Sequence, residues 1–269
     1  MRVLAFDTAT RATTVALSLG DGHVLQARDD PPSGRRPGHA THLLAMIASL
    51  LAEAGIGWPQ VQRIAVGVGP GTFTGLRIGI ATARALALAR TIPLVGISTL
   101  QSLALNALWA PDAAADPPPE PALGPRPALG ARPALGGHSA PIGESGSVLA
   151  VLDARRGEVF AAAWRAPDLE RGEPLLLAPR ALTPGALQSC ASQLGEGALA
   201  IGDGAIEFRD VLECSGSLVP PDSSDLHRVS AANHCRLAGG RAAGAPSDVG
   251  PEYLRLPDAE IARRSATTR

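Results

Sequence analysis

Lysine is absent from these 269 residues, so all 24 of the Lys+Arg positions are arginine. That excludes a phosphate loop with its lysine, a pyridoxal-phosphate Schiff base and a lysine nucleophile. With the many Ala, Pro, Gly and Arg, it reads as the imprint of a GC-rich genome. Aromatics make up only 3% of the chain, so the core must come from Leu, Val, Ile and Ala, and no platform for stacking bases is expected. The cysteines Cys190, Cys214 and Cys235 are odd in number and widely spaced, which fits neither a disulfide framework nor a zinc site and points to a reducing compartment. Before Thr10 there is one early arginine and then Asp7, with no apolar run long enough for a signal peptide or a membrane span, so a cytoplasmic protein is expected. A formal net charge of -1 offers no broad basic surface for nucleic acid, so any RNA would be held mainly by a partner.

The length allows one large domain or two small ones, and two lobes is the starting expectation. Apolar, β-branched stretches at 3–6, 12–19 and 23–28 predict three consecutive strands, antiparallel neighbours. After a Pro/Gly/Arg loop at 31–38, a helix is predicted from His39 to Ala54, with Leu43, Ile47, Leu50 and Ala54 at helical spacing, Leu44, Met46 and Leu51 widening the apolar face, and Gly55 ending it. A strand at 64–68, a Gly-rich turn at 69–74, a helix at 75–90, a strand at 94–97 and a helix through Leu108 complete the order βββαβαβα. Between 111 and 147 the composition shifts to Pro, Ala and Gly, with PALG at 121, 127 and 133, which predicts a disordered insertion. Beyond it come a hairpin at 148–164 turning at 155–157, a helix at 183–194 with Thr183 as cap and Pro184 in the first turn, a strand at 199–201, and a last helix near 224–243 before an extended tail.

The stretch VGVGPGTFTGLRIGIATARALALA at 66–89 feeds a strand through a Gly-rich loop into a helix. Its backbone N–H groups could hold an anion, but Gly69 and Gly71 fit a tight turn alone better, and the stretch does not match a phosphate loop, which would need lysine. Gly75, Gly79, Ala83 and Ala87 form a small-residue stripe that allows close approach of another helix, within the chain or from another subunit. Asp7, Thr8 and Thr10, in FDTAT, sit where some folds hold a nucleotide's phosphates or its metal, or where an Asp simply caps a turn. His39 and His42 lie three apart at a helix start, but nothing nearby completes a metal site, so none is expected. The charges of DARRGE at 153–158 read as a solvated turn, with acid–base work as the alternative. No catalytic constellation stands out.

VLAFDTAT, GHATHLLAMIASLLAEAG, IAVGVGPGTFTGLRIGIATARALAL, PLVGISTLQSLA, VLDARRGEVF and PEYLR resemble the bacterial TsaB family, also called YeaZ. The resemblance covers 1–108 and, more loosely, 148–256, and GPGTFTGLRIGIA is its specific part. It implies an α/β actin-like ATPase (ASKHA) fold of two related lobes: 1–110 the first, 111–147 the insertion, 148–222 a smaller second lobe, and 223–269 a C-terminal helix and tail, the helix packing back on the first lobe. It also implies pairing with TsaD, the threonylcarbamoyl transferase for tRNA, which such sequences resemble and which holds its metal through an H-x-x-x-H pair. The matching stretch here, Thr99 to Leu103, has no histidine, so a catalytically degenerate subunit is expected. In the family the first two helices form the contact for homodimers and for TsaD, which nominates His39, Leu43, Ile47, Leu50, Gly75, Gly79, Ala83 and Ala87 as interface residues. TsaE, a P-loop ATPase, joins the assembly, tRNA is met only through the complex, and ATP or ADP belongs to the complex; Asp7, Thr8 and Thr10 are the candidates for a degenerate nucleotide site. Competing readings are a phosphotransferase of the same fold, and a peptidase, which rests only on the glycoprotease label carried by such sequences.

Overall fold

Small and large side chains alternate along the first strands, and the alternation decides what packs on each face. The computed structural model describes residues 1–32, 34–108 and 146–255. The first lobe runs β1 (Val3–Asp7), β2 (Thr13–Ser18), β3 (Val24–Asp29), α1 (His39–Glu53), β4 (Arg63–Gly69), α2 (Phe73–Arg90), β5 (Leu94–Ser98) and α3 (Thr99–Ala104), the order the sequence predicts. Its sheet has the order β3-β2-β1-β4-β5, with β2 antiparallel to both β1 and β3, and β4 parallel to both β1 and β5. Leu4, Phe6, Val15, Leu17, Ile64 and Val66 face α1 and α2, while the smaller Val3, Ala5, Ala16 and Ala65 face the opposite way. Each large side chain sealed in this way contributes about 1.5–3 kcal/mol.

The second lobe repeats the plan in a smaller form. β6 (Ser147–Arg155), β7 (Glu158–Arg165), β8 (Leu175–Leu182), α4 (Pro184–Gln193) and β9 (Leu199–Ile201) give a sheet of order β8-β7-β6-β9, followed by two short helices, α5 (Asp203–Glu207) and α6 (Arg209–Glu213). Leu218 then bridges Leu199 in parallel, where the fifth strand of the first lobe would stand. The molecule has the two-lobed actin-like ATPase architecture.

α7 (Ala231–Gly239) returns to the first lobe and lies on its small-residue face, where Cys235 Sγ reaches Val3 O at 3.3 Å. Val148, Ala150, Phe160 and Trp164 of the second sheet share one continuous apolar core with that face, with α3 and α7 between the sheets. A further core lies beyond the second sheet, under α4 and α6. Among the described residues no helix is long and apolar enough to cross a membrane.

Several sequence expectations need correction. β8 is an element the sequence reading passes over; its stretch LLLAPRAL contains Pro179, whose missing N–H an edge strand tolerates. The last helix is shorter than 224–243: a 3-10 turn spans Asp225–His227, and α7 starts only after Ser230, whose hydroxyl accepts from Ala232 N, ending before Gly240. α5 and α6, five residues each, are too short for a periodic signal. The insertion expected at 111–147 lies outside the described residues apart from its last two, and Ser147 already opens β6.

Candidate functional site

Asp7 ends β1, the strand with an antiparallel neighbour on one side and a parallel one on the other, and its side chain is turned into the protein, 1% exposed. Oδ1 accepts from the Ala9 N–H at 2.6 Å, and Oδ2 accepts from Thr99 Oγ1 at 2.8 Å and from His234 Nε2 at 3.0 Å. Because a carboxylate only accepts, Nε2 carries the proton, and Nδ1 faces Ser102 Oγ at 2.8 Å. Burial works to raise the Asp7 pKa, but the His234 hydrogen bond and charge, the Ala9 N–H and the Thr99 hydroxyl outweigh it and hold the group below its ordinary 3.8. One carboxylate thereby ties β1 to α3 and α7.

Ser102, His234 and Asp7 form a hydrogen-bonded line of the kind hydrolases use. Here it has no route to a substrate, since Ser102 and His234 are fully buried and Ser102 Oγ also lies 3.0 Å from Ser230 O. Sequence reading missed Thr99, Ser102 and His234 because Thr99 and His234 stand 92 and 227 residues from Asp7. The only local signal is at Ser98, which caps α3 by accepting from Gln101 N.

The turn after Asp7 occupies the space the glycines of 66–89 leave open. An added Cβ would stand 2.0 Å from Asp7 Oδ2 at Gly67, 2.4 Å from Ala9 O at Gly71, 1.9 Å from Thr8 O at Gly75 and 2.4 Å from Thr8 Oγ1 at Gly79. Thr8 Oγ1 donates to Gly75 O at 2.7 Å, and Thr72 N, at the start of α2, donates to Ala9 O at 2.7 Å. Of the candidate nucleotide residues, Asp7 and Thr8 are therefore sealed in and already bonded, and only Thr10 is half-buried.

The two histidines at the start of α1 diverge. His39 is buried with Nδ1 2.8 Å from Thr13 Oγ1, whereas His42 is exposed and its Nδ1 lies 2.8 Å from Asp29 Oδ2. Burial lowers the His39 pKa from 6.5, against the opposing Asp7 charge, the Thr10 backbone and the Asp29 charge. In the hairpin between β6 and β7, Arg155, Arg156 and Gly157 all have positive φ, Asp153 pairs with Arg155 at 3.0 Å and Glu158 with Arg255 at 2.9 Å.

The nominated interface residues are inside. His39, Leu43, Ile47 and Leu50 of α1, and Gly75, Gly79, Ala83 and Ala87 of α2, all face their own sheet and core and are buried. The periodicity marks a face correctly, but the lobe's own sheet is what fills it. The opposite face carries the exposed apolar side chains: Leu44, 55% exposed, on α1, and Leu88, 69% exposed, on α2, among small residues such as Ala40, Ala48, Ala81 and Ala85. The two helices are neighbours, so these residues present an open helix pair.

The C-terminal segment runs along one flank of that pair. Arg84 donates through Nε to Val249 O at 2.9 Å and through Nη2 to Ser247 O at 2.8 Å, and Glu252 N donates to Val68 O at 2.7 Å. At the start of α2 the Phe73 and Tyr253 rings stack with centroids 5.3 Å apart, and the Arg77 guanidinium lies 3.8 Å above the Phe73 ring.

Comparison with known proteins places these features. Residues 32–123 match the family model described as TsaD, tRNA N6-adenosine threonylcarbamoyltransferase. The Escherichia coli tRNA threonylcarbamoyladenosine biosynthesis protein TsaB is 34% identical over 165 residues, 61% of this chain and 55% of that protein. The Haemophilus influenzae protein of the same description is 38% identical over 104 residues, 39% of this chain and 42% of that protein. The chain thus spans about half the length of the curated relatives it matches. YeaZ from Pseudomonas aeruginosa has a similar structure, with a TM-score of 0.64, 25% identity, and coverage of 94% of this chain and 100% of that one.

Proposed function

We propose that this chain is a member of the TsaB (YeaZ) family, as its likeness to the Escherichia coli and Haemophilus influenzae proteins and to the YeaZ structure supports, and that it serves tRNA threonylcarbamoyladenosine biosynthesis as a non-catalytic subunit that pairs with and activates TsaD. The observation that carries the proposal is the open α1–α2 face, with Leu44 and Leu88 standing out of a bed of small side chains. Apolar helix faces of this kind are closed by a second helix pair in a four-helix contact. Two further observations support a non-catalytic role. Thr99 and Leu103, at the positions of the H-x-x-x-H pair of TsaD, are fully buried and committed to packing and to Asp7. The Asp7 carboxylate and the Thr8 hydroxyl are buried and already hydrogen-bonded within the protein, which counts against a stand-alone phosphotransferase. The peptidase reading is disfavoured by the full burial of Ser102 and His234 in the line that ends at Asp7.

In this reading TsaE handles ATP in the assembly, tRNA is met through TsaD, and a homodimer forms when TsaD is absent. The reading is tested by reconstituting threonylcarbamoylation of tRNA from the adenylate-forming enzyme, TsaD and TsaE of the same organism, with this chain present or omitted. Product is expected only when it is present; equal product without it would sink the proposal.

A further inference from the structure

On the open helix pair, α2 carries charge of one sign only. α2 contains Arg77, Arg84 and Arg90 and no acidic residue, while the one acidic residue of α1, Glu53, is its last. Arg84 is spent on the C-terminal segment, and Arg90 lies 5.4 Å over the Trp58 ring. Arg77 is exposed and held from below by the Phe73 ring, and its Nε donates to Tyr253 Oη at 3.3 Å. Among the described residues no carboxylate pairs with Arg77 or Arg90. Arg77, Ala81, Ala85 and Leu88 recur at spacings of four, four and three, so the guanidinium sits on the same stripe as the exposed leucine.

Resting on the interface reading above, we propose that Arg77 is the polar anchor of this face and that its occupant is a different chain, one that brings a carboxylate to the Arg77 guanidinium. Three physical points lead there. The side chain is already ordered by a ring and a hydroxyl, so little rotamer entropy is left to lose on binding. The planar fork with Nε engaged leaves its outer nitrogens for a bidentate carboxylate. A second copy docked by a twofold axis would instead bring an α2 that carries arginines and no carboxylate against itself, a poorer match for Arg77 than a chain with a carboxylate at that point.

The test is the affinity for TsaD of the same organism, by calorimetry, for the wild-type chain, Leu88→Glu, Arg77→Gln, Arg77→Lys, Tyr253→Phe and Tyr253→Ala, with melting temperatures confirming that each variant is folded. Arg77→Gln is expected to bind at least about 30-fold more weakly, and Arg77→Lys about tenfold. Tyr253→Phe should keep the stacked ring and most of the affinity, while Tyr253→Ala loses it, and the wild-type affinity should fall with added salt. Binding of Arg77→Gln within twofold of wild type, while Leu88→Glu is crippled, overturns the anchor but leaves the helix-face reading standing. If Leu88→Glu binds normally, the face itself is wrong. A self-association tighter than the affinity for TsaD, measured by sedimentation, overturns the choice of occupant.

Discussion

Replacing Gly75 by alanine should destabilise the protein, although alanine is the better helix former. The added methyl would stand 1.9 Å from Thr8 O and 2.6 Å from Thr72 Oγ1, and the first of these is a backbone atom that cannot rotate away. Relief requires α2 to back off from the turn, which breaks the Thr8 Oγ1 to Gly75 O hydrogen bond of 2.7 Å. Overpacking of this kind costs up to about 3 kcal/mol, and the lost hydrogen bond about 1 kcal/mol. Against these, the helix gains about 1 kcal/mol from alanine's propensity. The balance is a loss of about 3 kcal/mol, which for a chain of this size lowers the melting temperature by roughly 6–12 °C. Gly185→Ala on α4 is the control, because nothing lies within 4 Å of the position its Cβ would take. There the stiffer unfolded chain should raise stability by about 0.4–1 kcal/mol. Both are measured by urea unfolding followed by circular dichroism, at constant m-value. A Gly75→Ala midpoint at or above wild type would refute the close-approach argument, and with it the account of why this stretch is rich in glycine.

Two further expectations concern the polar interior. The His39 pKa in the folded state lies below the unfolded value of 6.5, so the unfolded chain binds more protons between the two values. Stability is therefore whole above pH ~6.5 and declines as pH falls toward the folded pKa; His39→Gln should flatten urea midpoints measured between pH 7.5 and 5.5, and an unchanged slope would contradict the assignment. Asp7→Ala leaves His234, Thr99 and the Ala9 N–H without their shared acceptor, and a loss of about 3–5 kcal/mol is expected in the same assay; a loss below about 1 kcal/mol would mean that water replaces the carboxylate easily.

Much of this architecture is legible in the residues themselves. The alternation of β1 and β2 and the helical spacing of Leu43, Ile47 and Leu50 mark elements and faces without reference to anything distant. What spacing does not carry is the identity of the neighbour, so the buried stripes of α1 and α2 read equally well as an outward interface. The site is less legible for the same reason. Asp7 is conspicuous at a strand end, but its partners come from α3 and α7, and nothing local to Thr99 or His234 announces that a carboxylate waits for them. Arg77 was visible only as one letter in a motif, since its meaning depends on Tyr253, 176 residues away.

The return of α7 to the first lobe also sets a timetable for folding. A ribosome releases β1, β2 and β4 early, yet the face formed by Val3, Ala5, Ala16 and Ala65 gains its cover only when residues 231–239 have been made. Until then the nascent chain holds an apolar sheet surface open to water, to chaperones and to its neighbours on the polysome. Ribosomes that stop short of α7 would leave behind a lobe lacking both its cover and the histidine that holds Asp7, and such fragments should be recognised by the cell's proteases as unfinished.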